Sequence, residues 1–150
     1  MIKRPFDKDL YNKYDNKAKN ALVTLLEERG HEILIASENY NADITSKFKG
    51  RIFYSEAEVK TAWTGDWPEH WAEIRIPERK SRLVKKYDGC VDFYIFDNNL
   101  EKCWKIQGRH LNDSMLKNAY GRNIRSGEKF YHVPYNEAEL VYVPSRSSTG

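Results

Sequence analysis

Residues 42–60 read ADITSKFKGRIFYSEAEVK, and this stretch decides the fold. It spells two short strands joined at Lys49-Gly50, where glycine supplies the backbone angles that a tight turn needs. Both arms alternate. Ile44, Ser46 and Phe48 share one face of the first arm, and Phe53, Ser55, Ala57 and Val59 share one face of the second. Asp43, Thr45 and Lys47, then Tyr54, Glu56, Glu58 and Lys60, take the other face. A turn centred between Lys49 and Gly50 pairs positions whose numbers sum to 99, so Asp43 stands opposite Glu56 and diagonal to Glu58. Opposed side chains on paired strands lie ~5 Å apart, and like charges placed so destabilise the pairing. The acidic face therefore needs an offset, and a bound cation is the simplest. Everything hangs on register, because a slip of one residue would carry Asp43 to the other face.

Working outward, a chain of 150 residues suits a single domain, taken as 1–144, with an unpacked polar tail at 145–150, SRSSTG. Hydrophobic residues make up 40% and charged residues 31%, a globular balance that excludes a disordered chain. No apolar run approaches the ~20 residues of a membrane span. The opening MIKRPFDKDL lacks the apolar segment of a secretion signal, so a cytoplasmic location and no membrane partner are expected. Two cysteines, Cys90 and Cys103, are too few for a disulfide framework and are expected as reduced, packed thiols. The net charge of +3 decides little, but residues 75–86, RIPERKSRLVKK, gather six basic side chains against one glutamate.

In chain order, the helical spacing of Tyr14, Ala18, Ala21, Leu22, Leu25 and Leu26 predicts a helix over 8–29, closed by Gly30. HEILIAS, 31–37, reads as a strand ahead of the hairpin. Residues 61–75 are irregular and aromatic, broken by Gly65 and Pro68. Pro77 fits the first turn of a helix running to about Tyr87. CVDFYIF, 90–96, is a central buried strand, with KCWKI, 102–106, as its partner. A helix is expected around Leu111–Ala119, and KFYHV and ELVYV read as short edge strands. This order gives an α/β (α+β) fold with a mixed sheet flanked by helices.

An acid followed fifteen residues on by Glu58-Val59-Lys60 resembles the PD-(D/E)XK nuclease superfamily, and the helix, strand, hairpin, helix, strand order over roughly residues 12–107 matches as well. The chain looks most like the small archaeal Holliday-junction resolvases and related phage nucleases. The resemblance implies a restriction-endonuclease-like core and a Mg²⁺- or Mn²⁺-dependent deoxyribonuclease. Asp43 and Glu58 would be the metal-binding carboxylates, the main-chain oxygen of Val59 a further ligand, and Lys60 the catalytic lysine. Where the family pattern has proline before the acid, this chain has Ala42. Where some members carry a helical glutamate, it offers Lys19 and Asn20, with Asp15 the nearest acid. Resolvases act as dimers, so the resemblance also implies a homodimer.

These residue types suit phosphodiester hydrolysis. Mg²⁺ prefers oxygen ligands and needs only one or two carboxylates. Lys60, beside acids, is expected to stay protonated, to orient the water and to stabilise the transition state. Glu56 is either a second ligand or a solvated neighbour. The basic segment is either a solvated face or a DNA-backbone contact through Arg79, Arg82 and Lys86, with Leu83, Val84 and Tyr87 packed beneath. Of Trp63, Trp67 and Trp71, two suit packing, and Trp63 is assigned to base stacking. The rival readings are a nucleic-acid-binding module that has lost catalysis, and a protein-interaction domain.

Overall fold

A six-stranded mixed sheet carries the molecule, with one long helix on one face and a smaller three-stranded sheet on the other. The computed structural model describes residues 8–36, 42–118 and 128–144, so the expected tail at 145–150 lies outside the described residues. Helix α1 spans Lys8–Glu28. Strands β1 (Glu32–Ile35), β2 (Ile44–Phe48) and β3 (Arg51–Val59) form an antiparallel meander. After β4 (Ile74–Pro77), a 3-10 turn at Glu78–Lys80 and the short helix α2 (Ser81–Lys86), strand β5 (Val91–Phe96) lies parallel to β3. Strands β6 (Lys102–Gln107) and β9 (Ala138–Tyr142) complete the sheet in the order β1-β2-β3-β5-β6-β9. Strands β7 (Leu116–Asn118) and β8 (Lys129–Val133) join β4 in the small sheet, ordered β4-β8-β7.

The expected register holds. Ile44 pairs with Ser55, Thr45 with Tyr54 and Phe48 with Arg51, each summing to 99. The turn uses positive φ at both Lys49 (51°) and Gly50 (79°), the hand that matches the twist of the strands it joins. Alternation then divides the sheet into two cores. Ala18, Leu22, Leu25 and Leu26 of α1 pack on Ile44, Ala57, Tyr94, Phe96 and Cys103. On the opposite face Val91, Phe93, Ile95 and Ile106 meet Leu83 of α2 and Ile74, Ile76, Tyr131 and Val133 of the small sheet. Five of the six residues of β5 are buried, as a parallel-paired central strand requires.

Several expectations need correction. Pro77 does not open a helix: it ends β4, and the helix that follows is a turn shorter than expected. No helix forms over 111–118. The Asn112 side chain accepts from the Ser114 N–H and closes a 3-10 turn, after which Leu116 pairs with Tyr131. The KFYHV strand is the middle strand of the small sheet, whereas β9 does lie at an edge. Cys103 is a buried free thiol, but Cys90 is exposed and not packed. No helix among the described residues is long and apolar enough to cross a membrane.

Candidate active site

The acidic face forms where β2 starts and β3 ends. Asp43 precedes β2 by one residue, so its side chain continues the pairing where the strand ladder stops. The Asp43 Oδ2 accepts from the Ala57 N–H at 2.9 Å, and the Asp43 N–H donates to Glu56 Oε2 at 2.7 Å. The other oxygen of Glu56 takes a 2.9 Å ion pair with Lys80 Nζ. Glu56 is therefore neither a solvated neighbour nor a spare ligand: it is 6% exposed and has a partner at each oxygen. A buried carboxylate satisfied in this way fixes Asp43 against β3.

Asp43 is a poorly solvated carboxylate. Burial first, and then the negative charge of Glu56, push its pKa up to about 7, while the Ala57 N–H and Lys19 pull the other way. Lys19 Nζ, from the buried end of a helical lysine, stands 3.8 Å from Asp43 Oδ1.

Glu58 shares the face of Glu56, two residues along the strand. Glu58 is exposed at the end of β3, although the protein packed around it is enough to desolvate the carboxylate. Desolvation raises its pKa, and the charges of Lys80, Lys60 and Arg79 oppose the rise. The basic segment does lie against the acidic face, through Lys80 and Arg79. Arg79 is also 3.6 Å from Glu128, and Arg82 is exposed on α2 with Lys86. Tyr87 clamps α2 to the hairpin by stacking on Tyr54 at 3.8 Å and accepting the Ala42 N–H at 3.2 Å.

The Val59 carbonyl points to the side where β2 has ended. The Ala57 N–H faces the β2 side, toward Asp43, and amide and carbonyl directions repeat every second residue. The Lys60 N–H points the other way and donates to the Phe96 carbonyl at 2.8 Å. Strand β2 begins at Ile44, opposite Ser55, so its ladder does not reach Val59. Asp43, Glu58 and the Val59 oxygen thus supply hard oxygen donors of the kind Mg²⁺ and Mn²⁺ take, and two carboxylates with raised pKa values gain from a cation. Among the described residues no cluster of three or more His, Cys, Asp or Glu is close enough to hold a metal by itself.

Lys60 departs from the expectation that neighbouring acids keep its pKa high. Burial lowers it, Glu58 opposes the shift and Arg75 adds to it. Its Nζ lies 5.0 Å from the ring centre of Trp71, a cation–π contact that holds the ammonium in place.

Trp63 cannot stack on a base. It is 0% exposed, with its ring between Trp67 at 5.0 Å and Trp104 at 6.2 Å. Its N–H donates to the Lys60 carbonyl, its Nε1 to Gly65, and its carbonyl accepts from Asn98. It is the plug that fixes the backbone just past Lys60. Trp71 is the tryptophan at the rim, and nothing in the sequence spacing distinguished the two. The ion pairs of Lys19 with Asp43 and of Lys80 with Glu56, and the place of His132 in this region, escaped the sequence reading, because each arrives from an element distant in the chain.

Compared with known proteins, the chain matches no family model, no curated protein and no solved structure.

Proposed function

We propose that this chain is a divalent-metal-dependent nuclease that hydrolyses DNA phosphodiester bonds, on a restriction-endonuclease-like core of the PD-(D/E)XK type. One observation carries the reading. The register brings Asp43 to the face of Glu58 and Lys60, where both carboxylates are raised in pKa and a basic segment lies alongside. The order of elements supports it: a helix, a three-strand meander, then, past β4, a short helix and a strand parallel to the third.

Asp43, Glu58 and the Val59 carbonyl would hold Mg²⁺ or Mn²⁺. Bound there, the ion supplies an activated water and neutralises charge on the phosphate. The chain's own groups do the rest. Glu56 and the Ala57 N–H hold the Asp43 carboxylate in one orientation. The Lys60 ammonium, fixed by its backbone bond to Phe96 and by Trp71, orients the water and meets the charge that develops on phosphate. Purified protein is expected to cut DNA with Mg²⁺ or Mn²⁺. Lys60→Ala is expected to abolish cutting and leave binding intact. Wild-type protein inert on single-stranded, duplex and branched DNA with both metals would sink the proposal.

Lys19 favours a second reading, because a helical ammonium 3.8 Å from Asp43 does part of a cation's work. On that reading the chain is a nucleic-acid-binding module without catalysis. Calorimetry separates the two: DNA affinity with no uptake of Mg²⁺ or Mn²⁺ selects the inactive module.

A further inference from the structure

A cavity of about 330 Å³ opens beside Lys60, lined by Trp67, His70, Trp71, Glu73, Arg75 and His132. That volume is at the small end of the ~300–1,000 Å³ typical of ligand pockets. Its walls combine flat aromatic surface with positive charge. Trp67 is locked: its Nε1 donates to the Trp71 carbonyl at 2.9 Å and to the Tyr135 hydroxyl, and its ring meets Trp63, Trp71 and Trp104 edge-on. Trp71 stands on this fixed base, half-buried at the rim, with the Lys60 ammonium near its ring. Arg75 is exposed on β4. The back of the cavity is polar. The His132 side chain is 10% exposed, and its Nδ1 lies 3.9 Å from Glu73. Glu73 and His132 thus bring polar side chains to the cavity wall beside the aromatic ones.

We infer that this cavity seats one unpaired nucleotide of a DNA strand, with its base against Trp71, its polar edge toward His132 and Glu73, and its phosphate at Arg75. The inference rests on the nuclease reading and gives it a substrate class, single-stranded or flapped DNA. A paired base cannot enter, because its face is stacked and its hydrogen-bonding edge is already occupied. Aromatic stacking grips any base, so the site reads strandedness more than sequence.

Fluorescence anisotropy in EDTA tests the pocket apart from cleavage, using a labelled octathymidylate and a blunt duplex of the same length. Wild type is expected to bind the single strand about tenfold or more tightly than the duplex. Trp71→Ala is expected to remove that preference, and Trp71→Phe to keep most of it. Equal affinity of wild type for the two DNAs, or a preference untouched by Trp71→Ala, overturns the inference. Circular dichroism reports whether the alanine variant folds. If it does not, Arg75→Gln on the exposed strand position decides: it is expected to weaken single-strand binding and flatten its salt dependence, and an unchanged affinity and slope overturn the inference. Absent cleavage with the strand preference intact would count against the nuclease reading alone.

Discussion

Asp43 ties the residue scale to function. Its carboxyl ordinarily titrates near 3.8 and is raised here to about 7, so the folded state holds a proton that the unfolded chain has already lost. Between those two values the folded protein binds more protons, and stability falls as pH rises. The contribution of Asp43 is thus present in full below about pH 4 and gone above about pH 7. Asp43→Asn removes the charge and keeps an acceptor for the Ala57 N–H. It is expected to stabilise the protein by about 1–2 kcal/mol at pH 8, a gain that fades by about pH 4, read from thermal melts across pH. Millimolar Mg²⁺ is expected to raise the melting temperature of wild type at pH 8 and leave Asp43→Asn unmoved, because an ion that binds only the folded state stabilises it by mass action. A wild-type midpoint indifferent to both Mg²⁺ and Mn²⁺ contradicts a metal site at Asp43. The position of Asp43 opposite Glu56 was legible in the sequence, since period two and one turn fix it. The partners that offset the charge were not: Lys19 and Lys80 reach the face from α1 and the 3-10 turn before α2, and no local pattern encodes that.

At the scale of elements, β3 is the hub, hydrogen-bonded to β2 on one side and β5 on the other, with the 3-10 turn at Glu78–Lys80 fastened to it by Lys80 and Glu56. Removing one partner of a buried pair strands the other. Lys80→Ala leaves Glu56, 7% exposed at its side chain, without its cation. The expected cost is about 2–3 kcal/mol, below the full value for buried pairs because Lys80 itself is partly solvated. Urea unfolding should show the midpoint falling with an unchanged slope. A second test concerns Gly108, which follows β6: a Cβ there would lie 2.5 Å from the Val91 carbonyl oxygen, a backbone atom that cannot step aside. Gly108→Ala is expected to cost about 1–3 kcal/mol on the same assay. The elements that the sequence revealed were those with a strong internal period, α1, the hairpin and β5. Those it hid, β4 and β7, are three or four residues long and exist only through pairing with β8. Leu111, Met115 and Leu116 have helix-like spacing, but the Asn112 cap and the pairing of Leu116 with Tyr131 override it.

Across the whole molecule, the mixed sheet with helices followed from the order of elements, because a parallel partner for β3 requires a crossover and the chain between them has the length to make one. The three-stranded layer did not follow, since its strands come from three separate parts of the chain. That layer roofs the far side of the sheet and carries Arg75 and His132 to the edge of the acidic face, so the molecule is bipolar there: carboxylates at the end of β3, flanked by cations from β4 and from the 3-10 turn at Glu78–Lys80. With a net charge of only +3, the proposed DNA partner would have to be held by such local placement rather than by a global field. Binding should then depend on a few phosphate contacts. Each contact contributes about −0.7 to −0.9 to the slope of log affinity against log salt concentration. If Arg79, Arg82 and Lys86 each meet one phosphate, replacing all three with alanine should flatten that slope by about 2–3. The affinity should weaken by a similar factor for every sequence tested, because backbone contacts carry no base information. Anisotropy titrations at several salt concentrations measure both quantities. A slope that the triple variant leaves unchanged would mean that DNA approaches the acidic face from another side, and would detach α2 from the proposed binding surface.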